Sequence, residues 1–243
     1  MRYAICDIHT HILPGMDDGC KTPEESVAVL RECYAQGVSQ IIATPHYYPV
    51  EAVDAFLKRR EASMKILQEH ISQCPDPLPE ICLGAEVAYR PGIDHEENLH
   101  KLCFGKSNYL LLELPLSNCG EDVVRAVRNI CFTRSITPII AHIERYIKNR
   151  PTGALRKILQ EDVIVQMNAE HLLKYSTRRY GKNLIRYGQV HLLGSDTHNI
   201  TTLRPNMAAA VEYLEEKHLD WELQSMQDLC QMIFCEATGK STI

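Results

Sequence analysis

The chain has 243 residues, 45% of them hydrophobic and 23% charged, and a formal net charge of −5. This is the length of one α/β barrel and the composition of a soluble globular protein. It excludes nucleic acid as a default partner, since no basic stripe offsets the negative charge, and no apolar stretch approaches the ~20 residues of a membrane span.

Strand and helix alternate along the whole chain. Residues 2–8 form an apolar run that predicts a first strand, ending in His9-Thr10-His11, with Asp17-Asp18-Gly19 on the loop beyond. Thr22-Pro23-Glu24-Glu25 predicts a helix start: a cap, a proline at the first helical position and a capping-box glutamate. Val27, Leu30 and Tyr34 continue it on one face and Gly37 ends it. Residues 40–44 predict the second strand, stopping at Pro45-His46, and 52–72 a long helix closed by Cys74-Pro75-Asp76-Pro77. The third strand, 81–85, ends at Glu86, and a weaker helical stretch covers 94–102. The fourth, 109–112, ends at Glu113-Leu114-Pro115, and a helix follows over 121–135. The fifth, 138–141, ends at His142 before a helix over 153–160. The sixth, 163–167, ends at Asn168; a helix over 180–187, closed by Gly188, leads to the seventh, 190–194, which ends at Ser195-Asp196. Helices over 206–217 and 221–234 finish the chain.

Seven strands with intervening helices and no linker predict one α/β domain over residues 1–243. The strands are continuous apolar runs, as expected where both faces are covered. Basic runs such as Lys58-Arg59-Arg60 and Arg178-Arg179 are short and read as solvated helix faces. Ten cysteines show no CxxC pair and no regular spacing. Met1-Arg2-Tyr3 leads straight into a strand, not a signal peptide. The expectation is therefore a cytoplasmic protein whose cysteines are reduced and act as small hydrophobes.

Nine His, Asp and Glu residues recur in clusters at or just past successive strand ends: His9, His11 and Asp18, then His46, Glu86, Glu113, His142, Asp196 and His198. His9 and His11 are two apart, which in a strand points both to one side. Alone, the pair reads equally well as two hydrogen-bonded core histidines, and Asp17-Asp18-Gly19 alone reads as a turn. Glu86 and Glu113 end strongly apolar strands, where an unpaired carboxylate is expensive, although an arginine partner would also satisfy either. The coincidence of all nine at strand ends points to a multinuclear metal site on the rim where (β/α) barrels carry their chemistry. Nitrogen and oxygen donors without thiolate suit manganese, iron or zinc. Clustered divalent ions hydrolyse phosphate esters by lowering the pKa of a bridging water, orienting the ester and neutralising charge. A cation for the phosphate is then expected nearby. Arg145, three residues past His142, and Arg204, six past His198, are the candidates, each also readable as a surface or cap arginine. Tyr47 and Tyr48, just after His46, read either as an apolar wall for a substrate ring or as core.

The segment Asp7-Ile8-His9-Thr10-His11-Ile12-Leu13-Pro14-Gly15-Met16-Asp17-Asp18-Gly19 resembles the opening motif of the PHP (polymerase and histidinol phosphatase) superfamily. More narrowly, it is similar to that of the bacterial capsule- and exopolysaccharide-associated protein-tyrosine phosphatases. Thr44-Pro45-His46, Gly84-Ala85-Glu86, Glu113-Leu114-Pro115, His142-Ile143-Glu144-Arg145-Tyr146 and Gly194-Ser195-Asp196-Thr197-His198-Asn199 resemble the later motifs of that group, in order. The resemblance implies a distorted (β/α)7 TIM-like barrel of the PHP fold and a site for three divalent ions, usually manganese. By analogy His9, His11, Glu86 and Asp196 hold one ion. Glu86 bridges to a second, completed by Glu113 and His142, and Asp18, His46 and His198 hold the third. Arg145 and Arg204 match arginines beside the phosphate, Arg204-Pro205 after a small loop adjustment. The implied substrate is a phosphotyrosine protein, the tail of a bacterial tyrosine autokinase controlling polysaccharide export. A small-molecule phosphatase such as histidinol phosphatase would share the fold and metals, and His142-Ile143-Glu144-Arg145-Tyr146 favours the tyrosine phosphatase. The complete ligand set argues against a non-catalytic metal-stabilised binding protein. Beyond about Cys235, the segment Cys235-Glu236-Ala237-Thr238-Gly239-Lys240 departs from the group's Asn-Pro-containing tail helix, which leaves the packing of the chain end open.

Overall fold

Strand β1 (Ile5–Thr10) is buried along its whole length, and helix α1 (Pro23–Ala35) follows it. The structure, a computed structural model, describes residues 5–117, 119–147 and 153–240; the predicted start of the first strand at Arg2 to Ala4 lies outside these. The cap on α1 forms as predicted. The Thr22 hydroxyl accepts from the Glu25 N–H at 3.3 Å, and the Glu25 carboxylate accepts from the Lys21 N–H at 2.7 Å. Next come β2 (Val38–Ala43), β3 (His46–Tyr47) and α2 (Val53–Ser72), then β4 (Glu80–Leu83) and β5 (Glu86–Ala88). The predicted 94–102 helix is instead two separate 3-10 turns, Ile93–His95 and Leu99–Leu102. Arg134 donates to the Asp94 and Glu96 carbonyls at 3.0 Å each, and within the segment the Glu96 carbonyl accepts a 3-10-type bond from the Leu99 N–H at 3.2 Å. Then follow β6 (Tyr109–Glu113), α3 (Glu121–Arg134), β7 (Thr137–Ile140), and the short helices α4 (Glu144–Ile147) and α5 (Gly153–Ile158). The chain ends with β8 (Ile164–Asn168), α6 (Glu170–Leu173), α7 (Arg178–Arg186), β9 (Leu192–Gly194), α8 (Met207–Glu216) and α9 (Asp220–Thr238).

All the strand pairs are parallel among the described residues, and the nine short strands make seven staves. The second stave is β2 continued by β3, and the third is β4 continued by β5. Both break at the same height. Ala43 pairs with Leu83 before the break and His46 with Glu86 after it, so the register survives. Gly84 N–H donates to the Ala43 carbonyl at 2.8 Å and Glu86 N–H to the Pro45 carbonyl at 3.1 Å, carrying the hydrogen bonding across. Pro45 brings no N–H of its own to the ladder, and Gly84 is obligatory: a Cβ there would sit 2.6 Å from the Phe104 ring.

Along the staves, Cys6, Ile8, Ile42, Cys82, Leu111, Ile139, Ala141 and Leu192 gather into one inward-facing cluster, as period-2 alternation requires. The N-terminal end of this barrel is open in two places and is filled rather than closed. Phe104 occupies one gap. Cys230, Ile233, Phe234 and Ala237 of α9 occupy the other, packed against β1, β4 and β9. The segment beyond Cys235, left open by the sequence, also packs on the core: Ala237 is buried and its carbonyl accepts from the Lys106 N–H at 2.9 Å. At the opposite end the ring does close. His11 N–H donates to the Thr197 carbonyl at 2.8 Å and Asp196 N–H to the His9 carbonyl at 2.9 Å. A curled parallel sheet of seven staves closed only at its C-terminal rim agrees with the distorted (β/α)7 barrel that the resemblance implies.

Candidate metal centre

The nine predicted ligands converge on that rim. A bulge decides the first two. Asp7 pairs with Ile41 and Thr10 with Ala43, so β1 carries an extra residue next to His9. Without it, alternation from the inward Cys6 and Ile8 would turn His9 and His11 outward; with it, both imidazoles enter the barrel mouth. Glu86 and Glu113 lie on the inward face of β5 and β6 by ordinary alternation. His142 and Asp196 reach inward by a different route, with left-handed backbone at φ 34° and 55°. Such conformations are strained for residues with a Cβ. The Gln166 amide oxygen, accepting from the His142 N–H at 2.7 Å, and the His9 carbonyl bonded to Asp196 hold them there.

Three overlapping clusters of possible donors result: His11 with Asp18, His46 and His198; His9 and His11 with Asp196; and His46 with Glu86 and Glu113. His9 Nε2 and His11 Nε2 are 3.3 Å apart, and Asp196 Oδ1 lies 3.5 and 3.4 Å from them. Glu86 Oε2 is 3.3 Å from both. The other oxygen, Glu86 Oε1, accepts from His142 Nε2 at 2.8 Å, with Glu113 Oε1 3.4 Å from the same nitrogen. Asp18 Oδ1 lies 3.5 Å from His46 Nε2 and 3.4 Å from His198 Nε2. His46 also turns Nδ1 to within 3.0 Å of Glu86 Oε2.

This donor set fits divalent cations. Glu86 Oε2 is buried and has three imidazole nitrogens within 3.3 Å, yet hydrogen-bonds to none of them. Buried oxygens normally find a donor, and a cation shared with the surrounding nitrogens satisfies this one. The electrostatics agree. Burial pushes the Glu86 carboxyl up, but His9, His11, His142 and His46 outweigh it and hold it well below the usual range. Burial likewise opposes protonation of His11 and His142. Asp17, Asp196 and Glu86 nevertheless hold His11 well above its usual value, and Glu113 and Glu86 lift His142 to about 9. A pocket that draws positive charge onto buried imidazoles against the cost of desolvation is one that a metal ion suits.

Partners that the sequence did not single out aim these ligands. His11 Nδ1 donates to Asp17 Oδ2 at 2.8 Å, leaving Nε2 for the site. The same oxygen accepts from the His46 N–H at 2.8 Å, while Asp17 Oδ1 accepts from Gly19. Asp17 thus makes the predicted turn and also orients two ligands. His9 Nδ1 faces the Gln166 oxygen at 3.4 Å, and His198 Nδ1 donates to the Asp196 carbonyl at 2.8 Å. Asn168 donates to Asp196 Oδ2 at 2.7 Å. Asp7, fully buried, accepts from Ser195 N–H at 2.9 Å and so ties the last loop to β1; burial pushes its carboxyl up to about 6. Polar residues inside apolar strands, Asp7 and Gln166, were the available signal. Nothing in the sequence separates the role of Asp17 from that of its neighbour Asp18.

Arg145 sits on α4, one turn beyond His142. Its guanidinium spans the rim, 3.3 Å from Glu113 Oε1 and 3.1 Å from Asp196 Oδ2. It lines a 580 Å³ cleft together with Asp18, His46, Asp196 and His198, and Arg204 lines the same cleft from the loop after His198. Tyr47 is core: it is buried against Phe56, with its hydroxyl donating to the Glu51 carbonyl at 2.9 Å.

Comparison with known proteins adds relatives. The family model for capsular polysaccharide synthesis, CpsB/CapC, matches residues 5–238 and so includes α9. Tyrosine-protein phosphatase CpsB of Streptococcus pneumoniae is 31% identical over 232 residues, covering 87% of this chain and 90% of that protein. Tyrosine-protein phosphatase YwqE of Bacillus subtilis (strain 168) is 28% identical over 231 residues, covering 90% and 87%. A solved structure from work on those two proteins, described there as unique metal-dependent tyrosine phosphatases, aligns with a TM-score of 0.81 at 22% identity. It covers 98% of this chain and 96% of that one, and shares its fold.

Proposed function

The chain belongs to the capsular polysaccharide synthesis family CpsB/CapC, and from that premise we infer that it is a metal-dependent protein-tyrosine phosphatase acting in capsule or exopolysaccharide synthesis. The observation that carries the metal assignment is Glu86, a buried carboxylate whose two oxygens face two different groups of ligands. We assign His9, His11, Glu86 and Asp196 to one divalent ion, Glu86, Glu113 and His142 to a second, and Asp18, His46 and His198 to a third. Manganese is the proposed metal, with iron or zinc as alternatives for the same nitrogen and oxygen donors. When bound, such ions lower the pKa of a water between them and neutralise charge on the phosphoryl group.

The chain's own residues do the rest. Four carboxylates beneath three divalent ions leave the site net positive, which suits a phosphate dianion. Arg145 is held over the centre by Glu113 and Asp196, so its fork is oriented before substrate arrives and can take two phosphate oxygens. Arg204 adds a second cation to the cleft. Asp17, Gln166 and Asn168 keep the ligands from turning, which preserves their spacing through the reaction. The inner ligands are buried while Asp18 is exposed, so the reacting group enters from the Asp18 side.

The substrate in this account is a phosphotyrosine protein, the tail of a tyrosine autokinase, met in the cytoplasm by one catalytic domain spanning residues 1–243. No helix among the described residues is long and apolar enough to cross a membrane. The test is phosphate release from a phosphotyrosine peptide and from histidinol phosphate, each with added manganese. Release from the peptide, with histidinol phosphate a poor substrate, is the expected result. The reverse preference would make the protein a small-molecule phosphatase.

A further inference from the structure

Two cavities flank the candidate metal centre, and they share Asp18 and His46. The larger contains Arg145 and Arg204. The smaller, of 350 Å³, is lined on its apolar side by Met16, Tyr48 and Val50. Its one cation, Arg59, is already neutralised: the guanidinium makes bonds of 2.9 Å to both oxygens of Glu51. The two adjacent tyrosines have divided their roles. Tyr47 fills the core, whereas Tyr48 is 53% exposed and its ring stacks on His46, with centroids 5.3 Å apart and planes 26° apart. Val50 beside it is 90% exposed. Large apolar side chains held at a polar metal centre suit an apolar ligand group.

Resting on the phosphatase assignment above, we propose that Tyr48, with Met16 and Val50, is the specificity-determining wall for the aryl ring of the substrate. The phosphate dianion is drawn to the side that carries two guanidinium groups, Arg204 and Arg145, the second shared with Glu113 and Asp196. The phenyl ring must leave the phosphorus in another direction, and the adjoining cavity, where Asp17, Asp18 and Glu51 outnumber Arg59 and disfavour a phosphate, offers the apolar side chains of Met16, Tyr48 and Val50. A ring entering there lies against Tyr48, which His46 holds in place by stacking. Offset-stacked aromatic pairs gain beyond the area they bury, and an aliphatic phosphate ester makes no such contact. Tyr48 thereby favours aryl over alkyl phosphates without touching the reacting atoms.

The experiment compares Tyr48→Ala, Tyr48→Leu and Tyr48→Phe with the wild type, all loaded with manganese. Two quantities are read: the KM for free phosphotyrosine, and the inhibition constant of inorganic phosphate, which occupies the phosphate position without a ring. Tyr48→Ala should raise the KM about tenfold, with Tyr48→Phe close to wild type and Tyr48→Leu between them. The phosphate inhibition constant and the metal content should not change. An unchanged KM in Tyr48→Ala overturns the proposal. So does a parallel rise in KM and in the phosphate inhibition constant, because Tyr48 would then act only by supporting His46. Absence of phosphotyrosine hydrolysis in the wild type, by contrast, would refute the phosphatase assignment itself.

Discussion

Replacing Arg145 by alanine separates phosphate binding from everything else the rim does. The side chain is 41% exposed, and its ion pairs to Glu113 and Asp196, at 3.3 and 3.1 Å, lie at the mouth of the cleft. Partly exposed pairs of this kind contribute only about 0–1 kcal/mol to stability, so the fold and melting temperature should barely respond. The guanidinium is a counter-charge to two carboxylates in the proposed ligand set and not itself a ligand. Its loss leaves the nine donors in place, and metal content should hold. Catalysis should respond strongly. A charge-assisted bond to a phosphate oxygen is worth about 1.5–3 kcal/mol, so losing the fork should cost at least about one to two decades in kcat/KM. Lysine keeps the charge but loses the fork, so Arg145→Lys should fall between. The assay is kcat/KM on a phosphotyrosine peptide with metal content measured on the same samples. Full activity in Arg145→Ala would refute the phosphate role and leave the clamp to Arg204 and the metals. Loss of activity together with loss of metal would make Arg145 a support for Glu113 and Asp196 instead.

Three further outcomes follow from particular contacts. Asp17→Ala removes the acceptor of His11 Nδ1 and of the His46 N–H and should weaken metal affinity about 10–100-fold, measured by chelator competition; unchanged affinity would reduce Asp17 to a turn residue. Thiol alkylation should spare activity while chelation abolishes it, because burial pushes Cys20 and Cys82 up to about 11 and Cys103 to about 12 and none lies in a phosphate-cradling loop. Rapid inactivation by alkylation with metals retained would contradict this. Phe234→Ala, which empties a fully buried position at the open end of the barrel, should cost about 3–5 kcal/mol in chemical denaturation, and a loss below about 1 kcal/mol would mean that α9 is not part of the folded core.

The alternation of apolar runs with helix signals was enough to place seven staves, and the nine donors stood out because they lie at the ends of such runs or, like Asp18 and His198, on the loops just past them. What stayed hidden depends on backbone detail. Whether His9 and His11 face in or out rests on one extra residue in β1, and an apolar run looks the same with or without a bulge. The matched breaks at Thr44-Pro45 and Gly84-Ala85 are legible as proline and glycine, but their common height is a property of strand pairing. Helical composition over 94–102 yields only two 3-10 turns, and the Asp94 and Glu96 carbonyls there also accept from Arg134, distant in sequence. Tyr47 and Tyr48 are identical in type and adjacent, and only the fold buries one and exposes the other. The oriented supports Asp17, Gln166 and Asn168 carry ordinary residue types, and their roles exist only as distances.

In the proposed mechanism, phosphotyrosine hydrolysis depends on a group of metal ions held around Glu86. Titrating manganese into chelator-stripped protein while following phosphate release from a phosphotyrosine peptide tests it most directly. The stripped protein should be inactive, and activity should rise with added manganese and saturate near three ions per chain. Activity that survives complete removal of metal, or that saturates at a single ion, would contradict it.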